Sequence, residues 1–156
     1  MSRALIVSGY LTHARSLMQD IDRINRNLRN GDKVECVEAG YSFDSMRQAV
    51  GAFNYDVALI GPLNQDQSMM QKVGRLMLSR EVGFDEVVKG ILPIAKRRGL
   101  PAIVLSITDL AKYDEKLREH NELALIEAGA RSILPWQFRD EQLNEAINSA
   151  LAYRGR

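Results

Sequence analysis

Apolar positions along this chain follow two periods that take turns. Ala4-Leu5-Ile6-Val7 is a short, nearly uninterrupted apolar run, which predicts a strand buried on both faces. Ser8-Gly9-Tyr10 breaks it. From about Thr12 the spacing becomes helical, with Leu17, Met18, Ile21, Ile24 and Leu28 on one stripe and Asn30-Gly31 as the stop. Lys33–Ala39, "KVECVEA", predicts a second strand. Ser42 or Asp44 then caps a short helix carrying Met46, Ala49, Val50 and Phe53. "DVALIGPL", residues 56–63, predicts a third strand ended by Pro62, which has no N–H for a central ladder.

The segment after it is long. Met69, Met70, Val73, Leu76 and Met77 recur at helical spacing up to Gly83, which predicts an extra helical insertion over about 64–83. Phe84, Val87, Val88, Ile91 and Ala95 predict the next helix, which Gly90 and Pro93 should kink or shorten. Pro101–Leu105 is an apolar fourth strand. Thr108 or Asp109 caps a helix running to Ala128, with Leu110, Tyr113, Leu117, Ala124 and Ala128 inward and Gly129 as its end. Arg131–Leu134 predicts a fifth strand, and Asp140 caps a last helix with Leu143, Ile147, Ala150 and Leu151 on one face. Strands alternating with helices force a parallel sheet covered on both faces, so the expectation is one doubly wound α/β domain over residues 1–156. In such folds ligands sit beyond the carboxyl ends of the strands.

Composition narrows the function classes. A net charge of +1 argues against a nucleic-acid backbone as partner. The basic cluster Lys96-Arg97-Arg98 falls at a helix end, where cations meet the helix dipole. Cys36 is the only cysteine, so no intrachain disulfide forms. The N-terminal apolar run reads as too short and too soon interrupted for a secretory signal, and no stretch approaches the roughly 18 apolar residues that span a bilayer. The expectation is a cytoplasmic protein with no membrane contact. His13 and His120 have no partners at metal spacing, and His13 reads as a solvent-facing residue opening its helix.

The C-terminal run "ALIEAGARSILPWQF" followed by "RDEQLNEAINSAL" resembles the response-regulator receiver (CheY-like) family, as do "NYDVALIGPL" at the third strand and "LPAIVLSITD" at the fourth. The resemblance covers nearly the whole chain and implies the strand order 2-1-3-4-5. Receiver chemistry needs an acid pair after the first strand to hold Mg²⁺ and an aspartate after the third to accept a phosphoryl group. It also needs a hydroxyl after the fourth and a lysine after the fifth. Matched by position, the acid pair falls on Ser8 and Gly9 and the acceptor on Gly61. The hydroxyl falls on Ser106, the lysine on Trp136 with Gln137 after it, and the aromatic switch position on Ile133. Only the hydroxyl is kept. Loop residue Asp66 is a poor substitute acceptor, since a reacting group must be held to a fraction of an ångström. Asp56 starts its strand, at the opposite end of the sheet.

The resemblance implies a pseudo-receiver: the fold without the phosphorylation chemistry, no cofactor, no metal and no catalysis. It would bind a protein partner, or a second copy of itself, through the fourth helix, fifth strand and fifth helix. Ile133 and Trp136 are candidate contacts there. Trp136 either plugs the vacated pocket over Gly61 or stands out as an interface anchor. Met69, Met70 and Met77 either complete the domain's own core or form an adaptable contact surface. The expectation, with no output domain read after residue 156, is action in trans or through a partner. A second class of reading is a binder of, or enzyme acting on, a nucleotide, flavin or phosphate. It would use Ser8, Thr12, Asn64 and Ser106, with the "SGYLTH" loop at a helix N-terminus.

Overall fold

The structure, a computed structural model, describes residues 2–8, 11–27, 33–40, 42–52, 54–64, 83–107 and 115–154. Several sequence-based expectations fall outside them: Gly9, the stop at Asn30-Gly31, Phe53, Asp66, the methionines Met69, Met70 and Met77 with the rest of the insertion to residue 82, and the Thr108/Asp109 cap.

Five parallel strands form one sheet in the order β2-β1-β3-β4-β5. They are β1 (Ser2–Val7), β2 (Val34–Glu38), β3 (Val57–Asn64), β4 (Ala102–Ile107) and β5 (Ala130–Pro135). Helix α1 (Leu11–Asn27) follows β1, α2 (Phe43–Gly51) follows β2, α4 (Glu115–Ala128) follows β4 and α5 (Asp140–Arg154) follows β5. Helix α3 precedes β4 and is built from Phe84–Glu86, a π-helical turn Val87–Ile91 and Leu92–Arg97.

The period of two along each strand sorts side chains to two cores. Leu5, Val7, Ala58, Ile60 and Val104 pack with α2, α3 and α4. Ala4, Ile6, Val57, Leu59, Ile103 and Leu105 pack with α1 and α5. Burial on both faces explains why the strands read as unbroken apolar runs.

Three local features differ from the sequence-based expectation. Strand β3 does not end at Pro62. It continues to Asn64 through a bulge: Ile60 pairs with Val104, but the next pairs are Leu63 with Ser106 and Asn64 with Ile107. The extra residue carries Leu63 to the face that alternation would deny it, beside Ile60 in the α2–α4 core. A bulge is where a strand tolerates a proline that cannot donate. Of the kink or shortening expected at Gly90 and Pro93, α3 shows no shortening. The π-helical turn takes up the irregularity, and Pro93 stands at the start of the following α-helical piece. Asp140 is not the cap of α5. The Arg139 N–H donates to Gln142 Oε1 at 2.9 Å and the Arg139 carbonyl accepts from Leu143. Asp140, freed from capping, pairs with Arg23 of α1. By contrast, Ser42 caps α2 as expected, its hydroxyl accepting from the Ser45 N–H at 3.1 Å. Asp56 sits at the start of β3, where its carboxylate accepts from the Arg3 N–H at 2.9 Å.

Candidate functional site

The carboxyl edge of the sheet is where this topology places chemistry, and strand ends there bring together Ser8, Gly61, Ser106 and Trp136. Ser8 follows β1 and is buried; Ser106 lies near the end of β4 and is fully buried. The Trp136 N–H donates to the Ser106 carbonyl at 2.7 Å, tying the loop after β5 to β4. Thr12, on the first turn of α1, is exposed.

Gly61 has φ +148°, a conformation that residues with a Cβ rarely adopt. A Cβ placed there would lie 2.5 Å from the Leu105 carbonyl oxygen and 2.9 Å from the Leu105 Cβ. The obstruction is the backbone of the neighbouring central strand, which cannot swing aside as a side chain can. Bulge and glycine are one feature: the bulged strand is pressed against β4 at the residue where it carries no side chain. The position matched to the phosphoryl acceptor therefore has no room for any side chain in this backbone.

Trp136 does not stand free at the rim. It is half-buried against the α1–α5 core, and its ring meets His13 edge-on, with centroids 5.3 Å apart and planes at 67°. Edge-to-face pairs of this kind contribute about 0.5–1.5 kcal/mol beyond area burial. The expected solvent-facing His13 is instead half-buried and forms the wall on which Trp136 rests. The three atoms nearest to a Cβ at Gly61 all belong to Leu105. Ile133 is half-buried against the α2–α4 core. Among the described residues, no group of three His, Cys, Asp or Glu side chains could hold a metal ion.

Sequence reasoning misread His13 and gave Leu105 no role at the site. His13 had a topological signal: a doubly wound sheet gathers the first turn of α1 and the loop after β5 at the same, carboxyl edge. Leu105 had none, because its contact depends on the bulge. A second surface lies on the outer side of α4 and α5, where Leu123 and Ile126 are each 55% exposed and Tyr153 is 51% exposed. Ile126 and Tyr153 border a cavity of about 310 Å³ together with Arg131, whose guanidinium lies 4.4 Å from the centroid of the Tyr153 ring.

No family model matches the sequence, and no curated relative does either. Solved structures do resemble it in three dimensions. A protein described as pilus assembly-related, from Burkholderia pseudomallei, aligns over 98% of this chain and 91% of its own at 16% identity, with a TM-score of 0.65. A response-regulator receiver domain protein from Clostridium thermocellum aligns over 99% and 98% at 16% identity, with a TM-score of 0.63. The receiver domain of a Pseudomonas aeruginosa sensor histidine kinase, with magnesium coordinated in its active-site cleft, aligns over 97% and 98% at 10% identity and a TM-score of 0.55. The fold is the receiver fold. Its strand order, 2-1-3-4-5, is the one expected, and among the described residues no helix is long and apolar enough to cross a membrane.

Proposed function

We propose that this protein is a pseudo-receiver: a phosphorylation-independent module that acts in signal transduction or gene regulation by binding a protein partner. The observation that carries this reading is the backbone at Gly61. The residue matched to the acceptor lacks a nucleophile, and its φ and its contact with Leu105 leave no place for one. Ser8, matched to one of the acids that hold Mg²⁺ in receivers, is neutral, and Trp136 stands where a lysine would steady the phosphoryl oxygens. Phosphoryl transfer depends on positioned charge, so general shape does not replace these groups. The chain works by binding rather than by catalysis.

The binding face in this reading is α4–β5–α5. Its support is Leu123 and Ile126 on α4 and Tyr153 on α5, three large apolar side chains left half-exposed, of which Ile126 and Tyr153 border one cavity beside β5. Exposed apolar clusters on a small protein mark contact surfaces. A second copy of the chain is one partner this face would accept.

Trp136, the sole tryptophan, sits at the carboxyl edge of the sheet and reports on ligands there. Its fluorescence, titrated with Mg²⁺, nucleotides and flavin, is expected to stay unchanged. A saturable response to a nucleotide or flavin would favour the small-molecule reading instead. For the contact surface, Ile126→Glu is expected to abolish self-association or partner capture while leaving the circular dichroism spectrum unchanged. Retention of binding by that variant would remove the assignment of the face.

A further inference from the structure

The outermost strands of the sheet are β2 and β5. The outward row of N–H and C=O groups on such a strand is a template for another strand, and pairing through it joins copies of a chain edge to edge. Which groups face outward follows from the ladder. At the start of β2 the Lys33 carbonyl accepts from the Ser2 N–H at 3.3 Å, and just beyond its end the Ala39 N–H donates to the Ile6 carbonyl at 2.9 Å. Peptide groups turn alternately to the two sides of a strand. The odd-numbered residues of β2 therefore face β1, and Val34 and Cys36 face the open side.

At Val34 that side is already taken. The Val34 N–H donates to Asn25 Oδ1 at 3.0 Å, and the Val34 carbonyl accepts from Asn25 Nδ2 at 2.9 Å. One side-chain amide, with its acceptor and its donor in a single plane, makes the two bonds that a residue of a sixth strand would make. Asn25 reaches Val34 from the last turn of α1 and is half-buried. Asparagine is a poor helix former, so the helix itself gives no reason for it. A residue that only filled space between α1 and the sheet would be apolar, as Ile21 and Ile24 are.

Strand β5 is closed by other means. The Trp136 N–H donates towards β4, to the Ser106 carbonyl, so Pro135 before it has its nitrogen on the open side. The proline costs the sheet no bond there and offers an added strand no donor. Nearer its start, Ala130 pairs with Ala102 and Ser132 with Ile103, which leaves Arg131 as a bulge. Bulges and prolines are devices that discourage pairing at a sheet edge.

We infer that Asn25 is a guard on the open edge of β2: its amide takes the place of an added strand at Val34 and keeps the chain from joining a second copy of itself through β2. A second copy is the occupant to be kept out, because a two-fold axis makes the two edges identical. Two β2 strands would run antiparallel about Cys36, whose peptide groups share the side of the strand that Val34 faces. The next rung towards the start of each strand is Val34, so the two Asn25 side chains block both ends of that ladder. The guard stands on the opposite edge of the sheet from β5 and is independent of the α4–β5–α5 reading.

The test compares the native chain with Asn25→Ala by sedimentation velocity, with circular dichroism to confirm that each is folded. Alanine removes both hydrogen bonds without adding apolar bulk. Asn25→Ala is expected to associate, its mass at least doubling over whatever state the α4 surface gives the native chain. Adding Cys36→Pro, which removes an outward N–H and no bond to β1, is expected to restore the native mass. Unchanged sedimentation of a folded Asn25→Ala, or an association that Cys36→Pro leaves in place, would overturn the proposal and leave Asn25 as a tether between α1 and β2. Hydrogen exchange on the native chain adds a reading that needs no variant. The Val34 amide is expected to be as protected as the β1-facing amide of Glu35, and exchange of Val34 at the rate of an open peptide would also overturn the proposal.

Discussion

The carbonyl oxygen of Leu105 occupies the space into which a side chain at residue 61 would grow: a Cβ on Gly61 would stand 2.5 Å from it. Steric exclusion by a neighbouring central strand is a stronger barrier than the absence of a functional group. Gly61→Asp, the substitution that would restore an acceptor by sequence, is expected to destabilise the protein by ~3 kcal/mol or more, through the positive φ and the collision with β4 together. Urea unfolding of Gly61→Ala and Gly61→Asp measures it. A stable Gly61→Asp protein would show that the bulge re-forms around a side chain.

Gly90 makes the same argument on the other face of the sheet. Alanine raises helix propensity by about 1 kcal/mol over glycine in an exposed helix. Here its methyl would meet the Phe43 ring, so Gly90→Ala is expected to be a net loss of about 1–3 kcal/mol. The double variant Gly90→Ala/Phe43→Leu should recover part of that loss in a double-mutant cycle.

Arg23 joins α1 to α5 with two hydrogen bonds to Asp140, Nε to Oδ2 at 2.9 Å and Nη2 to Oδ1 at 2.7 Å. The hydrogen bond from Arg23 holds the Asp140 carboxyl below its ordinary value of 3.8. A depressed acid stabilises the fold above its unfolded pKa, and that contribution is lost as the pH falls through the folded value. The gap in melting temperature between the native chain and Asp140→Asn should therefore be present at neutral pH and shrink below about pH 4. Because the pair is exposed, about 1 M salt should also shrink the gap.

The Cys36 thiol is pushed up to about 12, first by its burial and then by the charges of Asp22 and Glu35. Alkylation by iodoacetamide at neutral pH is expected to run at least ~100-fold slower than for a free thiol, since the thiolate is the nucleophile. Unfolding in urea should restore the ordinary rate. A raised acid pKa also means that folding stability falls as the pH rises above the ordinary value of 9.0. Cys36→Ser should flatten that part of the curve.

The alternation of strand and helix was legible because each strand is buried on both faces and each helix on one, so the two periods alternate cleanly. The strand-end positions Ser8, Gly61, Ser106 and Trp136 followed from that order together with the receiver-like motifs. What depended on a shift of one residue was not legible. The bulge at Gly61-Pro62 carries Leu63 across the sheet, and nothing in "DVALIGPL" separates a strand that stops at proline from one that buckles around it. The π-turn hid for a similar reason: Gly90 and Pro93 read as kinking or shortening the helix, whereas Phe43 against Gly90 and the core residues Val87, Ile91 and Leu92 pack along a continuous α3. His13 was misread because its role is set by Trp136, more than a hundred residues away in sequence.

The central claim is that the edge of this sheet does not accept a phosphoryl group. Intact-mass spectrometry of the full chain after incubation with acetyl phosphate and Mg²⁺ tests it most directly. The account predicts an unchanged mass. An acid-stable, hydroxylamine-sensitive phosphoryl adduct, localised by fragmentation to the stretch following Gly61, would contradict it.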